Sequence, residues 1–254
     1  MRASCVGTAT ALIAAYIASM LVSCSATGRP LAPPSLDHVL GTDPIGRDAL
    51  CVLLAGLAST LVAALLSALV VALIGVLAAL LPVQHARIAS KSMVILPRIA
   101  LIALIAQLAM LDSRLVGVLV GAFFATEAYA PLAAEARRVW NSAVVEAAVA
   151  LGAGRVRIAL RYVIPEISAS IVRYSSLAAA TAIVALAGLS MTGVIPATQV
   201  TIGTLAFLVL TTPGALYTPA GQAQIAAVAV TVVATSYAMH HLGMCLSRAS
   251  DARG

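Results

Sequence analysis

The sequence predicts an all-α integral membrane protein with about six transmembrane helices, and three observations predict it. Hydrophobic residues make up 62% of the 254 and charged residues only 9%, against about 45–50% and about 25% in ordinary soluble domains. The apolar residues fall in long uncharged runs, enough to fill six spans of roughly 20 residues each. The basic residues, 15 against 9 acids, are scattered between those runs and form no single cationic face. This composition excludes a secreted soluble domain and a disordered chain. It also excludes nucleic acid as a partner, because 4% aromatics is too few for base-stacking platforms. The expected partner is the lipid bilayer, with the arginines setting orientation.

The first run covers residues 6–26. Leu21-Val22-Ser23-Cys24 resembles a lipoprotein cleavage box, but a cleaved lipoprotein continues as a soluble domain, whereas this chain continues as further apolar runs. Residues 1–28 are therefore read as an uncleaved first transmembrane helix. Residues 29–58 are read as an extracytoplasmic segment, broken by Pro30, Pro33 and Pro34, followed by an interfacial helix. Asp43 suits the cap of that helix, Pro44 its first position, and Asp48 its positive N-terminal end. From 49 to 81 there are 33 residues without a charge. One helix of that length reaches about 50 Å, beyond a hydrocarbon core of about 30 Å. The run is accordingly split into a surface helix over 44–57 and a span over 59–81.

A third run, 92–111, carries Arg98, and a fourth, 115–133, carries Glu127. Residues 134–167 are the polar exception, with five arginines and three glutamates. A fifth run covers 168–194, an uncharged connector rich in Thr, Pro and Gly follows, and the last run covers 223–246. Residues 59–254 thus form a core of five spans with one polar loop at 134–167. Lysine and arginine in alternate loops number ten on the side holding both termini and that loop, and three on the other. By the positive-inside rule both termini and the loop are cytoplasmic.

Negative findings narrow the chemistry. The single lysine, Lys91, is preceded by no GxxxxG, so the chain has no phosphate-binding loop of its own. The four cysteines form no CxxC motif and no Cys/His cluster. Cys24 and Cys51 can lie at the same membrane face, and buried small apolar residues are the reading favoured for them. His240 and His241 are adjacent in the last span, point in different directions, and suit polar packing better than a metal. No cofactor or metal is expected. Arg98 and Glu127 each lie about six residues, or roughly 9 Å, from the cytoplasmic end of their spans. Charges at that depth usually pair or line an aqueous path, and an Arg98–Glu127 ion pair with a structural role is expected.

The loop 134–167 reads as two short helices. Val144, Val145, Ala148 and Leu151 recur at helical spacing, then Gly152 and Gly154 supply a left-handed stop. Val156, Leu160 and Val163 form a second stripe beside Arg155, Arg157 and Arg161, and Pro165 is expected to end that helix. An elbow with an apolar ridge and a basic flank suits the groove of another protein, although arginines also draw such loops onto lipid headgroups.

Glu146-Ala147-Ala148, Gly152 and Tyr162-Val163-Ile164-Pro165 stand in the register of the EAA signature, which resembles permease subunits of binding-protein-dependent ABC importers. Independently, Leu40-Gly41-Thr42-Asp43-Pro44-Ile45-Gly46-Arg47-Asp48 is similar to the LGTDxxGRD segment of the dipeptide/oligopeptide/nickel permease group, in its C-type subunit. Leu189-Ser190-Met191-Thr192-Gly193 resembles LSFLGLG, and the end of the chain is a faded GDxLRDxLDPR. The resemblance runs from about residue 38 onward and implies a type I ABC importer permease fold in a bacterial inner membrane. It implies a multi-pass subunit, not an enzyme, that forms the path for peptides or a similar small solute as a heterodimer with a second permease. Two ATPase subunits or a fused ATPase would hydrolyse ATP, and an extracytoplasmic substrate-binding protein would deliver the cargo. Glu146, Ala147, Ala148, Gly152, Ile164 and Pro165 would be the ATPase-coupling residues. Gly41, Thr42, Asp43, Gly46, Arg47 and Asp48 would form the extracytoplasmic motif, with Arg47 or Asp48 as candidate contacts to a partner. The alternatives are an ion-gradient-driven secondary transporter or, within the ABC class, a nickel or haem importer permease.

Overall fold

The structure, a computed structural model, describes residues 2–21, 24, 28–80, 98–108 and 111–251; the side chains of 2–4, 20–21, 98–101, 108 and 249–251 are outside the description. Among the described residues the structure is 79% helical, and no strand occurs beyond one isolated bridge between Thr42 and Asp48. In chain order the helices are α1 (Arg2–Leu21), α2 (Ala49–Leu80), α3 (Arg98–Leu108), α4 (Ser113–Trp140), α5 (Ala143–Ala150), α6 (Arg155–Ile158), α7 (Ile164–Met191), α8 (Ile202–Thr211) and α9 (Pro219–Asp251). Among the described residues, four helical stretches are long and apolar enough to cross a membrane: Ala49–Leu80, Ser113–Trp140, Arg155–Met191 and Pro219–Arg248. The chain is thus an all-α protein of membrane type.

Helix α2 is central, packing on α4 and α7, while α7 packs on α9. Lipid tails are as apolar as leucine, so helices in a bilayer associate through close packing rather than by escaping water. The sequence provides for this with Gly117 and Gly121, four residues apart on α4. A Cβ added at Gly117 would lie 2.4 Å from the Ala63 carbonyl oxygen, and one at Gly121 would lie 2.8 Å from Ser67 Cα. Only glycine permits the two backbones to approach this closely.

Two buried clusters divide the bundle. One gathers Val52, Leu57, Val116, Ile183, Leu186 and Ile202; the other gathers Val71, Leu132, Val145, Ile158, Val163 and Ile167. The first adjoins the 28–48 segment and the α7–α8 connector, and is called the loop end. The second adjoins α5 and α6 and is called the elbow end. Across the elbow end, Trp140 Nε1 donates to the Ala79 carbonyl at 2.9 Å and ties the last turns of α2 and α4 together. At the loop end, Ser113 N donates to Gln199 Oε1 at 2.7 Å, and Ser59 Oγ donates to the Val200 carbonyl.

Four expectations are corrected. The uncharged run from 49 is a single helix, with no break between 57 and 59. Its first turns pack into the loop-end core, where Ala49, Val52, Leu53 and Leu57 are buried. Asp43 does not cap that helix. Gly46, at φ +87°, interrupts any helix from 44, and Asp48 supplies the cap, its Oδ1 accepting from Leu50 N at 2.9 Å. Pro165 does not end the second elbow helix. Residues Ala159–Val163 form a π turn that leads directly into α7, a widened turn of the kind that accommodates a proline lacking its N–H. The cysteines are not isolated apolar residues either: Cys5 is bonded to Cys245 and Cys24 to Cys51.

Candidate functional site

The elbow is built outward from the second core. Helix α5 starts after Ser142, and in its eight residues only Val145 and Ala148 turn inward. Leu151 and Gly152 then reverse the chain, with Gly152 N donating to the Val149 carbonyl at 2.9 Å and Ala153 N to the Ala148 carbonyl at 3.0 Å. Gly152 has φ +81°, and no atom would meet a Cβ there within 4 Å. The glycine is therefore required by its backbone conformation and not by crowding. The returning helical limb of the elbow buries Ile158 and Val163 against Leu132, Val145 and Ile167, with Ala159 also buried.

What remains outside is unusual for a folded surface. Val144 is 62% exposed, Leu151 90% and Val156 65%, and Val149 and Leu160 are also exposed. The apolar ridge expected from the sequence is thus two ridges. Val145, Ala148 and Val163 anchor the elbow, whereas Val144, Leu151, Val156 and Leu160 face outward. Arg155, Arg157 and Arg161 are exposed around them, as is Arg138 at the end of α4. Of the residues singled out by the EAA register, Glu146 and Ala147 are exposed on α5, Ala148 is buried beneath them, Gly152 makes the reversal, and Ile164 and Pro165 follow the π turn. Glu146 lies in the first turn of α5, where the helix dipole favours a carboxylate.

The second motif is a folded cap on the loop end. Asp43 is fully buried, and its Oδ1 accepts from Ile45 N at 2.9 Å and Arg47 N at 2.8 Å, while Oδ2 accepts from Arg47 Nε at 2.8 Å. Thr42 Oγ1 donates to the Arg29 carbonyl and accepts from Ala32 N. Gln224 Nε2, from α9, donates to the Thr42 carbonyl at 2.8 Å and joins the cap to the bundle. At Gly41 (φ +72°) and Gly46 (φ +87°) a Cβ would come within 2.3 Å and 2.5 Å of the Ala32 and Gly28 carbonyl oxygens respectively. All six residues of the motif therefore act in holding this cap together. Arg47 is committed to Asp43 and Asp48 to the start of α2, and Leu36, Val39 and Ile45 are left outside together with Arg29, Ser35 and Asp37.

The expected Arg98–Glu127 pair depends on the Arg98 side chain, which lies outside the described residues; Glu127 is exposed on α4. His240 and His241 do diverge: His240 Nδ1 is buried, and His241 stacks on Tyr237 with ring centroids 5.9 Å apart. Sequence reasoning missed a polar cleft between α4 and α7 lined by Glu135, Arg138, Glu166 and Arg173. The signal was available, since Arg173 is a charge inside the fifth apolar run. No protein-family model matches the sequence, and no curated protein matches it.

Proposed function

We propose that this chain is the permease subunit of an ATP-driven ABC importer, paired with a second permease and moving peptides or a similar small solute across a bacterial inner membrane. The observation that carries this reading is the elbow. Residues in the EAA register fall on one short helix and one glycine reversal, whose inner face is locked into the bundle and whose outer face offers apolar side chains ringed by arginine. Such a surface is suited to a groove on a cytoplasmic ATPase. The excess of arginine on this side supports a cytoplasmic location for it.

Six crossings are supported by the register of the helices. Trp140 joins the end of α4 to the end of α2, and Ser113 begins α4 at the opposite end, beside Gln199. Both helices thus run from the loop end to the elbow end, which favours a further crossing between them, and α3 is the candidate for it. In the working cycle, closure of the ATPases would push on Val144, Leu151 and Val156. Val145 and Ala148 would carry the displacement into Leu132 and Ile158, and the π turn before Pro165 would let α7 tilt.

Vesicle uptake of a labelled dipeptide, with and without ATP, tests this reading. Gly152→Asp is expected to abolish ATP-dependent uptake while the protein stays folded in the membrane. Undiminished uptake by that variant would remove the coupling role of the elbow.

A further inference from the structure

Helix α1 is the least embedded of the long helices. Of its described side chains, residues 5–19, only Ser19 is buried. It is nevertheless fastened at both ends, by Cys24–Cys51 at the loop end and by Cys5–Cys245 at the elbow end, where the bonded residues are 240 apart in sequence. The two bonds thus lie on opposite sides of the bundle. In the proposed orientation one faces the oxidising exterior and the other the reducing cytoplasm, where thiols are kept reduced.

The inner pair has an imidazole beside it. His241, one turn before Cys245 on α9, places Nδ1 3.9 Å from Cys245 Sγ, and Arg248 follows three residues later with its side chain exposed. An imidazole within reach of the sulfur can take the proton of the reduced thiol, and the thiolate is the attacking species in disulfide exchange. From this geometry we infer that Cys5 and Cys245 form a reversible thiol–disulfide site on the cytoplasmic face, clasping the first helix to the last, whereas Cys24–Cys51 is a permanent structural bond. The inference rests on the proposed orientation but not on the transport reading.

The exchange partner is a low-molecular-weight disulfide. The Cys245 thiolate attacks one of its sulfurs, forming a mixed disulfide and releasing one small thiolate. The Cys5 thiolate then attacks Cys245 Sγ, closing the protein bond and releasing the second. The two protons lost by the cysteines end on the two small thiols, so the protein is oxidised by two electrons and the small disulfide is reduced by two.

The test uses the full chain in bacterial membranes. Free thiols are blocked with a membrane-permeant alkylating reagent, the protein is reduced, and newly exposed thiols receive a heavier reagent read by peptide mass spectrometry. At rest, Cys24 and Cys51 should carry the heavy label and Cys5 and Cys245 the light one. After everted vesicles are exposed to oxidised glutathione, Cys5 and Cys245 should shift together to the heavy label, several-fold more slowly in His241→Ala. Heavy label on all four at rest would overturn the proposal, as would Cys5 and Cys245 failing to shift. In intact cells, labelling of Cys245 in the Cys5→Ser variant by a membrane-impermeant reagent would also overturn it. That result would locate the failure in the orientation, whereas a light label retained after oxidation would locate it in the bond.

Discussion

The two ends of the bundle are held together differently. At the loop end, polar groups are turned inward and satisfied: Asp43 is fully buried with three donors around it, and Gln224 ties the cap to α9. At the elbow end, apolar groups are turned outward: Leu151 is 90% exposed on a reversal made by Gly152. Both ends leave apolar side chains outside, Leu36 and Val39 at one and Leu151 and Val156 at the other. At the elbow, however, they stand among four exposed arginines, Arg138, Arg155, Arg157 and Arg161, and a large exposed apolar patch marks a site of interaction. The loop end is held by buried polar contacts, and the elbow end is the surface on which the proposed coupling rests.

The largest effect expected from breaking this contrast is at Asp43. Asp43→Ala leaves the Arg47 guanidinium and two backbone amides without their acceptor. It should destabilise the protein by about 3–5 kcal/mol, read as a lower denaturation midpoint in detergent, with Asp43→Asn milder. Next comes the seam between the two cores. Gly121→Leu forces α4 away from Ser67 and should cost about 1–3 kcal/mol, measured the same way. Trp140→Phe removes one hydrogen bond between α2 and α4 at the elbow end, a loss of about 1 kcal/mol. Leu151→Asp is the smallest for stability, within about 0.5 kcal/mol, and is expected to leave the midpoint unchanged. A large destabilisation there would mean that the elbow's outer face supports the fold and is no free surface.

Much of this architecture was legible because membrane helices advertise themselves as long uncharged runs. The same uniformity hid the boundaries. Within 49–81 no charge marks where α2 leaves the membrane, so bilayer thickness suggested a break. The first turns instead continue into the loop-end core, where Gly56 lies against Thr201. Asp43-Pro44 and Asp48-Ala49 both look like helix starts, and what separates them is the positive φ of Gly46, a backbone property that side-chain patterns do not carry. At the elbow, the glycine reversal and both helices were readable from spacing. The division of the apolar residues into inner and outer ridges depended on where the elbow docks on Leu132 and Ile167. The disulfides were not readable at all, because spacing does not reveal connectivity.

The central claim is that the outward ridge of the elbow seats in a cytoplasmic ATPase, and a photoreactive amino acid placed at Leu151 in living cells tests it most directly. The account predicts a single protein adduct, an ATP-binding subunit, that disappears when Val156→Asp is added. An adduct with lipid alone, or with a protein that binds no nucleotide, would contradict it.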